Sequence, residues 1–479
     1  MYKLAIFSFI SCFFFSAAYA ANELPDIGSS SSRVFSLVEE QAVGDDYMRQ
    51  IRAIAPIVND AEINDYIQHL GFKLVENNAD AQDRQFSFFV VRENSINAFA
   101  LPGGYIGIHT GLITKSDTES ELASVLSHEI AHVTQRHLAR RLELQNQLTL
   151  PSLAAFAAAI LIASQSKSSQ TGMGALMGAQ GLAQQAMINH TRSNEAEADR
   201  IGISTLYKAG FDTKGAISFF EKMQENSRYY SNAFEFLRTH PLSRSRITDA
   251  RLRAREYPSR RRDERLVYLL MKEKIKALTA KINPVTVDKT KTRYKNGEIK
   301  TDAQRYGYAV FMIRAKQFDV AEKILKSLRF SAPKQPSYAI ALAQLDIERN
   351  SPANSIKLIE SLLVQSPGNQ ALVETLAELY LAKSDYVKGR ELLLANIHMT
   401  EYAPYLLKLL AEAQEGSGHQ SEVYETEGNF LLAMGDLTGA RIQFEQALNV
   451  HTEDPYARAR LNSQLNRINE FIRQRSLRH

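Results

Sequence analysis

The chain has no tryptophan and a single cysteine, Cys12. One thiol cannot close a disulfide within the chain, so the cysteine-stapled scaffolds of small extracellular modules are excluded. An excess of charge of either sign is lacking too: 57 Lys and Arg stand against 53 Asp and Glu, a net of +4. A nucleic-acid face would need a concentrated basic patch. The densest basic run, 251–265 (RLRAREYPSRRRDER), carries acids as well and reads as a solvated helix and linker, so no nucleic-acid partner is expected. Beyond the N-terminus, the longest apolar stretch, 149–164 (TLPSLAAFAAAILIAS), is shorter than the ~20 residues a membrane helix requires. What remains is an ordinary globular balance, 44% hydrophobic and 23% charged over 479 residues, with material for two to four domains.

Residues 1–20 carry one charge, Lys3, then an apolar run, then Ala18-Tyr19-Ala20. That order predicts a secretory signal peptide cleaved after Ala20. The rival is an uncleaved membrane anchor. A lipoprotein fits less well, because Cys12 sits early within the apolar run and Phe9 stands three residues before it. Cleavage removes the only thiol, and a large cysteine-free secreted chain suits the bacterial periplasm. Residues 21–45 read as a linker, with Ser29–Ser32 its most flexible stretch.

Residues 46–78 show two apolar stripes at helical spacing, Tyr47 to Val58 and Ile63 to Leu74. Residues 85–92 (QFSFFVVR) and Tyr105–His109 read as strands, with Pro102-Gly103-Gly104 as a turn. Such a strand pair is either a plain hairpin or an edge that binds an extended peptide. A capping box at Ser116-Asp117-Thr118-Glu119 predicts a helix running to about Leu144. Residues 149–164 and 171–188 form either a buried helix pair, a mobile cover or a membrane-touching hairpin. Gly and Met in the second stretch make for an adaptable surface.

Inside the predicted helix lies His128-Glu129-Ile130-Ala131-His132. Two histidines four apart share one helix face and can reach one zinc ion, with Glu129 beside it as general base. A catalytic zinc needs a third protein ligand and an open fourth position. Glu195, in Asn194-Glu195-Ala196-Glu197-Ala198-Asp199, is the candidate. Asp199 lies at i+4 on the same face and can hold a histidine ring N–H. Glu197 points elsewhere and reads as solvated. His137, five past His132, reads as a surface or packing histidine. In Thr239-His240-Pro241, the proline fixes a bend that could aim His240 inward.

From residue 302 the pattern changes to paired helices with a 34-residue step: Pro333 and Pro367; Ala321, Ser355 and Gly389; Ala309, Ala343 and Ala377. That is the tetratricopeptide (TPR) period, without its signature tryptophan. About four repeats over 302–450 and a closing helix to about 475 are expected, giving a concave face for proteins.

Taken together, NAFALPGG at 97–104, HEIAH at 128–132, NEAEAD at 194–199 and THPLSRSR at 239–246 resemble the zinc metallopeptidase family that includes the CAAX prenyl proteases and HtpX. The resemblance implies a gluzincin-like fold and one Zn2+ per subunit held by His128, His132 and Glu195. Glu129 becomes the catalytic base, and Asp199 an acid or supporting group. Unlike the membrane-embedded members, this chain has no set of long transmembrane segments. With its leader and repeat array it resembles the periplasmic branch that serves outer-membrane barrel assembly. That branch implies stalled outer-membrane proteins as substrates. It also implies the barrel-assembly machinery and the lipopolysaccharide transport pore as partners of the TPR face. His240 becomes a fourth ligand or switch over the metal, and Arg246 and Asn97 are supporting residues.

The expected fold is mainly α: a metallopeptidase domain with a small β-sheet over 46–262, a helical connector over 263–301 and a TPR solenoid over 302–479. The expected activity is zinc-dependent endopeptidase, with a chaperone-like role in barrel assembly. One rival is a non-proteolytic TPR adaptor with a latent or structural zinc site. Another is an integral-membrane protease, if residues 149–188 span a bilayer; peripheral membrane contact is a milder version.

Overall fold

The computed structural model describes residues 36–144, 181–227, 236–260, 264–401, 403–450 and 454–476. Residues 1–35 and 145–180 lie outside these, and with them the expected signal peptide, the Ser-rich stretch and all of the expected apolar pair but residues 181–188, which are helical. Among the described residues, no helix is long and apolar enough to cross a membrane.

The first helix, α1 (Leu37–Ile54), is set by its cap rather than by its apolar stripe. Ser36 accepts from the Glu39 N–H, and the Glu39 carboxylate accepts from the Ser36 N–H at 2.8 Å. This reciprocal pair starts the helix well before the stripe at Tyr47. Pro56 follows its end, and Val58 turns to pair with strand backbone, its N–H on Val90 O at 2.8 Å. Asp60 then caps α2 (Ala61–Val75).

Strands β1 (Ser87–Val91), β2 (Ala98–Ala100) and β3 (Tyr105–His109) form one sheet in the order β1-β3-β2. β1 and β3 are parallel, with Ser87 opposite Tyr105. β2 and β3 are antiparallel, with Phe99 opposite Gly107. The turn between β2 and β3 needs its glycines: Gly103 and Gly104 have φ of 72° and 76°. A Cβ on Gly104 would also lie 1.9 Å from Gln85 O.

After the short α3 (Thr110–Lys115) comes α4 (Glu119–Thr134), buried along nearly its whole length. Its cap is Thr118, accepting from the Glu121 N–H at 3.1 Å, two residues past the expected Ser116. Ser116 instead donates to Leu112 O. The helix expected to reach Leu144 is in fact two. Arg136 adopts φ 53°, breaking the run, and α5 (His137–Leu144) leaves at a new angle. Next come α6 (Gly181–Lys208), α7 (Lys214–Ser227), α8 (Phe236–Thr239) and α9 (Arg244–Glu256). α6 packs against α4 so closely that a Cβ on Gly202 would lie 3.2 Å from His128 N.

Two helices, α10 (Leu266–Thr279) and α11 (Pro284–Lys295), lead into five antiparallel pairs. These are α12 and α13 (Asp302–Arg314, Phe318–Ser331), then α14 and α15 (Pro336–Glu348, Ala353–Gln365). Next are α16 and α17 (Gln370–Ala382, Tyr386–Ala395), α18 and α19 (Tyr405–Gly416, Gln420–Ala433), and α20 and α21 (Leu437–Val450, Pro455–Ser476). The starts at Asp302, Pro336 and Gln370 keep the 34-residue step. Ala309, Ala343 and Ala377 are each 0% exposed, where small side chains let helices approach. A 3-10 turn at Ile397–Glu401 lengthens the next step, which is where the sequence phase drifts.

The fold is therefore mainly α, a region with a small three-stranded sheet followed by a TPR-like solenoid. One apolar core runs from Val58 through Tyr268 and Met271 to Leu345, so α10 belongs to the same core as the sheet and the first repeats. The far end of the solenoid returns to α1: Arg52 donates to Ala433 O at 3.1 Å, and the Arg49 guanidinium lies 4.2 Å from the Phe471 ring.

Candidate metal centre

Three elements supply the site. α4 projects His128 and His132 from consecutive turns, and α6, packed across it, brings Glu195 and Asp199. The turn after α8 brings His240, whose N–H bonds Phe236 O at 2.8 Å and whose ring stacks on Phe236. Pro241 follows, and Ser243 caps α9 so that Arg246 reaches back into the site.

The four donor groups of His128, His132, Glu195 and His240 all lie within 4.8 Å of one another. His128 Nε2 is 3.0 Å from His132 Nε2 and 3.3 Å from His240 Nδ1. Glu195 lies 3.4 Å from each of the two α4 histidines and 3.1 Å from His240 Nδ1. Asp199 sits behind, its Oδ1 2.9 Å from His128 Nδ1. Arg246 clamps Asp199 with two hydrogen bonds of 2.7 and 2.8 Å, touches Glu195 Oε2 at 2.9 Å and donates to Pro241 O at 2.8 Å.

The electrostatics follow from burial and charge. Burial pushes the Glu129 carboxyl up, against the nearby His240 and His128. Glu195 is also buried, yet His240, His132 and His128 hold it well below the usual carboxylate range. Asp199 is lowered despite its burial, by Arg246 and His128. Burial opposes charge on His128, but Asp199 and Glu195 outweigh it and carry the ring up to about 10. His132 is driven well down, mainly by burial. The cluster demands positive charge, and a metal ion and a proton on His128 are alternative ways to supply it.

The donor set suits a metal on its own chemistry. Glu129, Glu195 and Asp199 put three carboxylates against one guanidinium, Arg246, an excess that a divalent cation offsets. Asp199 can only accept, so the neutral His128 ring carries its proton on Nδ1 and turns the Nε2 lone pair toward His132. Nitrogen and oxygen donors with a held histidine are what zinc selects.

Glu129 is 1% exposed. Its carboxylate accepts from the Ala100 N–H of β2, while its Oε1 lacks a hydrogen-bond partner among the described residues and lies 3.3 Å from His240 Nε2. Asn97 is buried and gives its carbonyl to the His109 N–H at 3.0 Å; its Oδ1 is unpaired among the described residues.

His137, read as a surface or packing histidine, is the packed one: it is 5% exposed, and its Nδ1 lies 2.9 Å from His132 Nδ1, a partner the sequence did not indicate. Glu197 is not free in solvent: it accepts from Arg140 at 2.9 Å and lies 3.2 Å from His137 Nε2. A continuous helix would have carried His137 away from His132; the break at Arg136 returns it. The only hint in the sequence was a third histidine closely following the second.

Comparison with known proteins is consistent with this geometry. Residues 61–254 match peptidase family M48. The chain is 35% identical to a β-barrel assembly-enhancing protease of Yersinia pestis, over 95% of this chain and 94% of that one. It is 37% identical to a protein of the same name in Escherichia coli K12, over 72% and 70%. The mitochondrial metalloendopeptidase OMA1 of Schizosaccharomyces pombe is 30% identical over 34% of this chain and 45% of its own.

Proposed function

The chain belongs to the β-barrel assembly-enhancing proteases, metalloproteases of peptidase family M48, and from that footing we propose a zinc-dependent endopeptidase of the periplasm. Its proposed substrates are misassembled outer-membrane proteins, in keeping with the names of its relatives. The observation that carries the reading is the convergence of His128, His132, Glu195 and His240 beside a buried Glu129.

In this reading His128, His132 and Glu195 hold the metal, and His240 supplies a fourth donor at rest. A zinc ion bound there supplies Lewis acidity, polarising a scissile carbonyl and acidifying water. Glu129 takes the proton of the attacking water on Oε1 and delivers it to the leaving nitrogen. Its raised proton affinity suits both halves of that transfer. Arg246 keeps Asp199 and Glu195 in register, and Asp199 orients His128. β2 is a sheet edge and touches Glu129 through Ala100, so an extended substrate chain pairs along it.

The leader at 1–20 supports export. The solenoid offers a face for protein partners, for which the barrel-assembly machinery and the lipopolysaccharide transport pore are the proposed occupants. A chaperone-like contribution of that face is part of the same proposal.

Casein digestion and zinc content of wild type against Glu129→Gln test this reading. The variant is expected to retain one zinc per chain and lose about 10²–10⁴-fold in rate, the usual worth of a general base. Undiminished digestion by the variant, or a wild-type protein that binds no zinc, would sink the proposal. An active complementation by Glu129→Gln in cells would assign the barrel-assembly role to the solenoid instead.

A further inference from the structure

We infer that His137 is a positioning residue for His132: it links that ring to the Glu197 carboxylate and fixes which nitrogen of His132 faces the centre. This rests on the reading that His128, His132 and Glu195 hold the metal.

The proton arrangement follows from the donors and acceptors present. His132 Nε2 faces the cluster, 3.0 Å from His128 Nε2 and 3.4 Å from Glu195 Oε1. Its other nitrogen, Nδ1, lies 2.9 Å from His137 Nδ1. The Nε2 pair at 3.0 Å faces the metal position. The two Nδ1 atoms instead lie outside the donor cluster, with no place for an ion between them, so at 2.9 Å they share one hydrogen. The far side of His137 decides who owns it. His137 Nε2 is 3.2 Å from Glu197 Oε2, and Arg140 Nη1 donates to the same oxygen at 2.9 Å. An ionised carboxylate only accepts, so His137 carries its proton on Nε2. Its Nδ1 is then a lone pair, and accepts from the Nδ1–H of His132. His132 is thereby left with its own lone pair on Nε2, the atom a metal uses.

The two α4 histidines are thus oriented by carboxylates of the same helix, α6, in different ways. Asp199 reaches His128 directly at 2.9 Å. Glu197, two residues away, reaches His132 through an interposed imidazole. What makes room for that imidazole is the left-handed Arg136, which ends α4 and is pinned by Glu40 of α1 at 3.3 Å. The rings of His132 and His137 meet nearly perpendicular, with centroids 4.8 Å apart.

The test is zinc affinity of the full-length protein by competition with a chelator, alongside the melting temperature of the metal-free form. For His137→Ala the expected result is a 10–100-fold weaker affinity, the usual cost of losing such a partner, with metal-free melting within a few degrees of wild type. His137→Asn, which places an amide oxygen near the lost Nδ1, is expected to recover part of the affinity. In the zinc-loaded wild type, nitrogen NMR should show His132 protonated on Nδ1. Wild-type affinity in His137→Ala overturns the inference, as does a melting loss with no change in affinity. If affinity and melting both fall, the Asn variant decides: recovered affinity supports positioning, and an equal loss overturns it. A wild type that binds no zinc would instead remove the underlying metal reading.

Discussion

His240 touches both halves of the proposed machinery: its Nδ1 lies 3.1 Å from Glu195 Oε1, and its Nε2 lies 3.3 Å from Glu129 Oε1. A side chain in that position competes with substrate for the fourth donor place and sits against the base. Replacing it with alanine is expected to raise basal casein hydrolysis while zinc is retained. If His240 blocks the site nine-tenths of the time, the gain is about tenfold, because apparent activity scales with the competent fraction. Unchanged basal hydrolysis would remove the switching role and leave His240 only its packing against Phe236. At this level much of the site was readable in advance. Spacing of four along α4 and again along α6 puts each pair of side chains on one face. The contribution of His137 and Glu197 was not readable, because a single residue, Arg136, departs from helical backbone without being Gly or Pro.

Helix against helix, the solenoid depends on small residues, and its glycines are not equivalent. A Cβ added to Gly428 in α19 would lie 2.7 Å from the Phe444 ring of α20. A Cβ on Gly389 in α17 would meet Leu381, Ala413 and Tyr380 at 3.6 to 3.7 Å, ordinary contact. Gly428→Ala is therefore expected to cost about 1–3 kcal/mol through overpacking. Gly389→Ala is expected to add about 0.5–1 kcal/mol, since alanine is the better helix former and its methyl has room. Urea denaturation midpoints check both, and a common sign for the two substitutions would refute the packing argument. The 34-residue period revealed where small residues recur but not how near the facing helix comes. Cap positions behaved similarly: two neighbouring candidates, Ser116 and Thr118, compete at α4, and Thr118 prevails while Ser116 bonds back to Leu112.

Across the molecule, the solenoid and the peptidase region meet around buried charge. Lys274 of α10 is fully enclosed and donates to Asp60 at 2.9 Å and Glu62 at 2.6 Å, and Tyr306 of α12 donates to Glu62 at 3.1 Å. Facing Asp60 from α16 are Glu374 and Glu378. Burial, the neighbouring Glu378 and Asp60 push Glu374 up to about 8; burial and Asp60 push Glu378 up to about 7. A carboxyl whose folded-state proton affinity is raised binds more protons folded than unfolded. Its contribution is fully present at and below the ordinary value of 4.5, and stability is lost as pH rises from there through about 8. Glu374→Gln is expected to leave the urea midpoint near pH 5 almost unchanged and to raise it at pH 8.5. A pH profile parallel to wild type would show that folding does not raise the proton affinity of this carboxyl. No sequence pattern places α16 beside Asp60, which lies more than three hundred residues away in the chain.

The sequence alone determined the mainly α class, the 34-residue repeat, and the donor types and order of the centre. These depend on short spacings and local periodicity, which a helix converts directly into a shared face. The tertiary structure decided what depends on distant segments meeting. It placed His240 among the α4 and α6 donors, and it turned His137 inward through the Arg136 break. It joined α10 to the core of the sheet, and it closed the solenoid back onto α1. Each of these is set by how backbones approach and by the partners that buried polar groups find, which spacing along one chain does not encode.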